Sequence, residues 1–205
     1  MSFFHQLTEK PWLQDQDTVV ELYARRAFDL HTAKFGLRVF LGVITVVFSL
    51  TVMIYSDRML VPDWRPLPEP WILWLNTALL ILSSVGLQWA RVAAGRGRLD
   101  GVKLGLVAGG AFAWAFLAGQ LWAWQQLVAL GYFAATNPAN AFFYLVTALH
   151  AVHLLGGLVA WARTANKVRR GYEADRVRLS VELCAVYWHF LLVIWLILFG
   201  LLLLT

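Results

Sequence analysis

Polar positions are scarce along this chain and fall in clusters. Apolar runs, interrupted by ionisable groups only at Arg38, Glu182 and the histidines, cover Leu37–Tyr55, Trp71–Ala90, Leu104–Trp124, Ala141–Ala162 and Leu179–Leu204, with lengths of 19, 20, 21, 22 and 26 residues. Together they make up more than half of the 205 residues. A hydrocarbon core about 30 Å thick is crossed by roughly 20 helical residues. The strict alternation of a barrel strand is absent, so each run must satisfy its own backbone N–H and C=O groups as a helix. The pattern predicts an all-α, polytopic membrane protein. Residues 31–205 form a bundle of five transmembrane helices, and residues 1–30 form a separate cytoplasmic N-terminal segment.

Composition sharpens this. The chain is 60% hydrophobic and 14% charged, with a mean hydropathy of +0.63, against a charged fraction of about 25% in ordinary soluble domains. So few charges cannot cover the surface of a soluble fold of this size. Disordered, coiled-coil, collagen-like and disulfide-stapled classes are excluded as well. Cys184 is the only cysteine, so the chain can form no internal disulfide and no cysteine metal site.

The excess of 17 Lys and Arg over 12 Asp and Glu reads as topology, with no nucleic-acid partner. Fifteen basic residues fall on one side of the runs: Lys10, Arg25, Arg26, Lys34 and Arg38 before or at the first, Arg91, Arg96, Arg98 and Lys103 after the second, and Arg163, Lys167, Arg169, Arg170, Arg176 and Arg178 after the fourth. Only Arg58 and Arg65 fall on the other. The positive-inside rule places the N-terminus in the cytoplasm and the C-terminus outside, periplasmic in a bacterium. The first 30 residues are charged throughout and lack the apolar stretch of a signal peptide. Asp17-Thr18 with Glu21 could cap a short amphipathic helix carrying Val19, Leu22, Tyr23 and Arg26, lying on the cytoplasmic face. The connection Val61–Pro70 holds four of the six prolines and predicts a stiff extended strap.

Candidate chemistry rests on few residues. His150 and His153 lie near the middle of the fourth run and His189 near the middle of the fifth, with His153 and His189 at nearly equal depth by the 1.5 Å rise of a helix. Glu182 begins about two turns before His189, in the first turn of the last run, where the helix dipole favours an anion. Ionisable groups inside a membrane are costly and mark candidate sites. Three readings compete for the histidines: ligation of a b-type haem by His150 or His153 with His189, a proton or ion relay, and interhelical hydrogen bonding between His153 and His189. The last is preferred, because Gly156 and Gly157 beside the pair suit close helix approach. For Glu182 the bland role is a tether fixing the start of the last helix, and the sharper one is handing protons to a partner. A zinc site needs three or four ligands, which these segments do not supply. No phosphate loop, nucleophile elbow or CxxCH haem attachment occurs either.

Val186-Tyr187-Trp188-His189-Phe190, followed by Trp195-Leu196, resembles the last-helix signature of subunit III of haem–copper cytochrome c and ubiquinol oxidases. Glu182 stands where that family carries a glutamate just before the signature. Phe142-Phe143, His150-Ala151-Val152-His153 and Gly156-Gly157 resemble its preceding helix. Leu75-Asn76-Thr77 with Ser83-Ser84, and Lys34-x-Gly36 with Phe40-Leu41, resemble two earlier ones. Four motifs in order, from about residue 31 to the end, make the resemblance specific. Longer members have seven helices, two of them forming a lipid-holding arm, so five helices resemble the short bacterial form.

There are departures. Ile44, Ala123 and Leu192 stand where the family usually has buried acids, which removes the family's buried carboxylates from any proton-antenna role and leaves Glu182. The resemblance implies a non-redox accessory subunit in the bacterial inner membrane, with no catalytic, metal or cofactor residue of its own. Haem and copper would lie in the catalytic subunit I, with subunit II and bound phospholipid as further partners. Two alternatives stand beside it: the subunit III-like accessory protein of a nitric oxide reductase, and a b-type haem membrane protein.

Overall fold

A computed structural model describes residues 14–62, 64–65, 71–172 and 174–204, with side chains described from residue 31 onward except at 174–176. The expected amphipathic contacts of Val19, Leu22, Tyr23 and Arg26 therefore lie outside the described side chains, as does most of the proline strap. All regular structure among the described residues is helical: α1 Gln14–Arg58, α2 Ile72–Gly95, α3 Leu99–Ala129, α4 Pro138–Arg169 and α5 Ala174–Leu203. In each, a stretch of 24 to 32 residues is long and apolar enough to cross a membrane, the one in α1 being His31–Arg58.

These helices outrun the apolar runs at most of their ends. The reason is local chemistry. The side chain of Asn137 accepts from the Ala139 N–H, and Pro138 follows in the first helical position, so α4 starts three residues before its apolar run. At the other ends, α2 and α4 continue through arginines and alanines that favour helix, until Gly97 and Gly171, both at φ 69°, turn the chain. Arg98 N–H then bonds the Ala93 carbonyl at 3.0 Å, and Tyr172 N–H bonds that of Lys167 at 3.3 Å. At its N-terminal end the helix containing Asp17 is already formed by Gln14, three residues before the expected cap.

The chain divides into two units, residues 1–40 and 41–205. The first is helical from Gln14 and exposes Phe35, Val39 and Phe40. In the second, α2 packs on α3, α3 on α4, α4 on α5, and α5 returns to α2, closing a ring of four helices. The rest of α1 rests against this ring through few side chains. Phe48 sits 5.2 Å from the His153 ring, and Tyr55 lies 5.5 Å from Phe142, ring centre to ring centre. Only 11% of the α1 span is buried, against 39–44% for the other four.

The α2–α3 contact is the most intimate. A Cβ on Gly105 would lie 2.6 Å from the Gly86 carbonyl oxygen and 2.7 Å from the Ala90 nitrogen, and one on Gly86 would lie 2.9 Å from the Gly109 nitrogen. Backbone touches backbone here. Lipid surrounds separated helices as comfortably as packed ones, so association depends on contact area and interhelical hydrogen bonds, and small residues supply the close approach.

Candidate functional site

The polar side chains inside the ring form seams that join specific helix pairs. Ser83 of α2 donates to the Gly109 carbonyl of α3 at 2.7 Å and accepts from Trp188 Nε1 of α5 at 2.8 Å. One hydroxyl thus ties three helices. One and a half turns earlier, Thr77 donates to its own helix at the Leu73 carbonyl (2.8 Å) and accepts from Trp195 Nε1 (3.0 Å). Asn76 Nδ2 donates to Gln120 Oε1 at 3.2 Å, and Gly119 leaves room for the Asn76 amide, since a Cβ there would come within 2.1 Å of Oδ1. On the other side of α3, Trp161 Nε1 donates to the Leu106 carbonyl at 2.8 Å and fills the space a side chain at Gly110 would need.

His189 joins α5 to α2. Its Nε2–H donates to Gln88 Oε1 at 3.0 Å, which leaves Nδ1 to accept from the Ser84 hydroxyl. This settles its partner, and it is not His153. The expected His153–His189 bond is replaced by separate ones: His153 Nδ1–H donates within its own helix to the Leu149 carbonyl at 2.8 Å. What crosses between α4 and α5 at this level is Tyr187, whose hydroxyl donates to the His153 carbonyl at 2.9 Å. The residues that face Gly157 are Tyr187 and Trp188, 2.8 and 2.9 Å from where its Cβ would stand. Gly156 is exposed, with nothing within 4 Å of the same position, so only one glycine of the pair serves close approach within the chain.

His150 is fully buried with no hydrogen-bond partner on either ring nitrogen. Rings enclose it: Trp195 at 5.1 Å, Phe116 at 5.8 Å and Phe48 at 6.4 Å between centres. The three histidines therefore face different surroundings, and both ring nitrogens of His189 are engaged on α2. Among the described residues no group of three or more His, Cys, Asp and Glu is placed to hold a metal ion.

Glu182 and Phe190 are half-buried. Because α5 begins at Ala174, Glu182 is eight residues in, about 12 Å along the axis. The helix dipole fades beyond the first turn, so the expected first-turn stabilisation does not apply to this carboxylate. Of the three positions lacking the family's acids, Ile44 and Ala123 are buried at 2% and 0% exposure, while Leu192 is half-buried and lines the same groove as His189.

Sequence reasoning singled out Trp188 and Trp195 only as parts of a signature and missed Gln88, Gln120 and the bond from the Trp161 indole to α3. A Trp and a Ser that meet across two helices leave no mark in a single sequence. The Gly101-x3-Gly105-x3-Gly109 spacing, by contrast, is a readable signal for close packing.

The geometry predicts unequal effects for the histidines. His189→Ala removes an interhelical pair of bonds, each worth about 0.6 kcal/mol on average and about 1.7 at most. His153→Ala removes one bond within a helix and lowers stability less. Thermal unfolding of the detergent-solubilised chain checks the order, and equal losses would contradict these partners.

The sequence profile of cytochrome c oxidase subunit III matches residues 30–204. The chain is 32% identical over 129 residues to cytochrome c oxidase subunit 3 of Thermostichus vulcanus, 62% of this chain and 63% of that protein. The match thus spans a little under two thirds of that relative. It is 29% identical over 171 residues to cytochrome c oxidase subunit 3 of Synechocystis, 80% of this chain and 72% of the relative. A probable cytochrome c oxidase subunit 3 of Nocardia farcinica is 29% identical over 145 residues, 67% of this chain and 70% of the relative. With four interlocked spans carrying the Ser83–Trp188 and Ser84–His189 seams and the profile running from the first span to the last, the chain belongs to the cytochrome c oxidase subunit III family.

Proposed function

We propose that this chain is the non-redox subunit III of a haem–copper terminal oxidase in a bacterial inner membrane, where it packs against the catalytic subunit, stabilises it during turnover and holds lipid at the interface. The observation that carries the reading is the family match over residues 30–204. The side chains support it: Ser83, Thr77, Asn76 and His189 join helix to helix, and two of the three mid-span histidines have hydrogen bonds within the chain. Haem and copper belong to the partner subunits in this reading. Purifying the native complex and identifying its haem-bearing subunit tests it, together with a reduced-minus-oxidised spectrum of the isolated chain. The expected outcome is a haem–copper catalytic subunit in the complex and no haem band from the chain alone. A haem band carried by the chain, or a nitric oxide reductase as the copurifying enzyme, would replace the reading.

The proposed orientation has its own check. With fifteen basic residues on one side of the spans and two on the other, a reporter fused after Thr205 is expected to be active outside the cytoplasm. Cytoplasmic activity would reverse the topology.

A further inference from the structure

Inside the ring, one polar layer has unmatched groups. Asn76 on α2, Gln120 on α3 and His150 on α4 are 0–2% exposed. Asn76 and Gln120 bond each other through Nδ2 and Oε1, which leaves Asn76 Oδ1 and Gln120 Nε2 without a partner among the described residues. The same holds for both ring nitrogens of His150. Reversing both amides would still leave one oxygen and one nitrogen over. A neutral imidazole has one donor and one acceptor nitrogen. The layer therefore calls for partners to two donors and two acceptors.

The three residues approach one level. On α3 and α4, which run in opposite directions, Phe116 lies 5.8 Å from His150 between ring centres, and Trp124 Nε1 bonds Thr147 Oγ1 at 3.1 Å. Gln120 stands between these two contacts. Each Cα–Cβ bond tilts toward its helix N-terminus, so Gln120 leans toward the level of Phe116 and His150 toward that of Thr147, into the same gap. From α5, Trp195 lies 5.1 Å from His150 and 4.9 Å from Phe116, and its indole bonds Thr77, the neighbour of Asn76. Phe48 of α1 adds a further ring 6.4 Å from His150.

With all three side chains buried, neither acyl chains nor bulk solvent supply the partners. An unpaired amide or imidazole in such surroundings is unfavourable, and buried polar groups nearly always find a partner in protein or in ordered water. The demand here is mixed, and water meets a mixed demand. One molecule can donate twice and accept twice, and a buried one makes about three such bonds.

We propose that the interior of the ring holds an ordered-water site between His150 and the Asn76–Gln120 pair. Water there donates to Asn76 Oδ1 and to the proton-free nitrogen of His150, and accepts from Gln120 Nε2 and from the imidazole N–H. The site is built by this chain alone and stands apart from the subunit III reading.

X-ray radiolysis of the full chain in native membranes, read out by mass spectrometry, tests it, because hydroxyl radicals formed from a bound water oxidise the side chains beside it. Trp195 and Trp188 are a matched pair: both are 0% exposed and both indoles bond α2, but it is Trp195 that packs on His150. Oxidation of Trp195 is expected to run several-fold faster than that of Trp188. His150→Phe keeps a ring and removes two of the four unmatched groups, so the excess at Trp195 is expected to be lost. Equal rates at the two tryptophans of the wild-type chain would overturn the proposal and make the interior dry. An undiminished excess in His150→Phe would overturn it as well, because the water would then not be held by His150. The wild-type comparison decides the first point even if His150→Phe fails to fold, and Gln120→Met, which removes the amide at similar length, then takes its place, with the same loss expected and an undiminished excess counting against the site.

Discussion

Replacing Gly105 with leucine is expected to lower the stability of the folded chain by at least about 3 kcal/mol, the upper end of the usual range for forcing bulk into a packed interior. The neighbours decide the size of the effect. A Cβ at this position meets the Gly86 carbonyl and the Ala90 backbone at 2.6–2.9 Å, and backbone has no rotamer by which to yield. Relief requires α2 and α3 to separate, which also strains the Ser83–Gly109 bond and, through Ser83, the link to Trp188. Gly156→Ala is the matched control. It adds a methyl where nothing lies within 4 Å and removes a glycine whose helix propensity trails alanine by about 1 kcal/mol, so its effect is neutral or mildly stabilising. Thermal unfolding in detergent, followed by tryptophan fluorescence, compares the two. A Gly105→Leu chain as stable as wild type would mean that these backbones do not touch.

The five spans are legible in the sequence because lipid imposes one demand on every residue of a run, and that demand needs no knowledge of neighbours. Their ends are less legible. Arg91 and the residues from Arg163 to Arg169 break the apolar pattern without breaking the helix, so α2 and α4 continue past it. The Asn137-Pro138 start and the turns at Gly97 and Gly171 were readable as local chemistry, and they mark these boundaries better than hydropathy does.

The polar seams divide along the same line. Equal depth of His153 and His189 could be counted from the sequence, but depth does not say which way a side chain faces around its helix. The structure turns His189 toward α2 and leaves His153 on its own backbone carbonyl. Closure of the ring by α5 against α2 decides this, and the pairing depends on residues more than a hundred positions apart. Gly157 and Gly156 show the same limit, since adjacent helical residues point about 100° apart and only Gly157 meets α5. The family signature at Val186–Phe190 was visible as a string. Its physical content is that Tyr187 and Trp188 each bond a different helix, α4 and α2, while His189 extends a second link to α2.

Trp188 carries the second large expected effect. It is fully buried, its indole donates to Ser83, and its ring edge occupies the space that the missing side chain of Gly157 leaves on α4. Trp188→Ala in a soluble core would cost about 3–5 kcal/mol from lost transfer energy and an unfilled cavity. In a membrane the transfer part falls away, because separated helices leave the indole in lipid. The cavity part remains, and the expected loss is about 3 kcal/mol, at the lower end of that range. Ser83→Ala strands the indole N–H in the interior, at about 1–3 kcal/mol. Trp188→Phe keeps most of the ring volume and loses one bond, worth at most about 1.7 kcal/mol. Packing and hydrogen bonding thus predict the order Trp188→Ala, then Ser83→Ala, then Trp188→Phe, from most to least destabilising. If Trp188→Phe matched Trp188→Ala in thermal unfolding of the detergent-solubilised chain, the indole bond rather than the filled volume would hold α5 in the ring, and the α2–α5 contact would have to be reckoned as mainly polar.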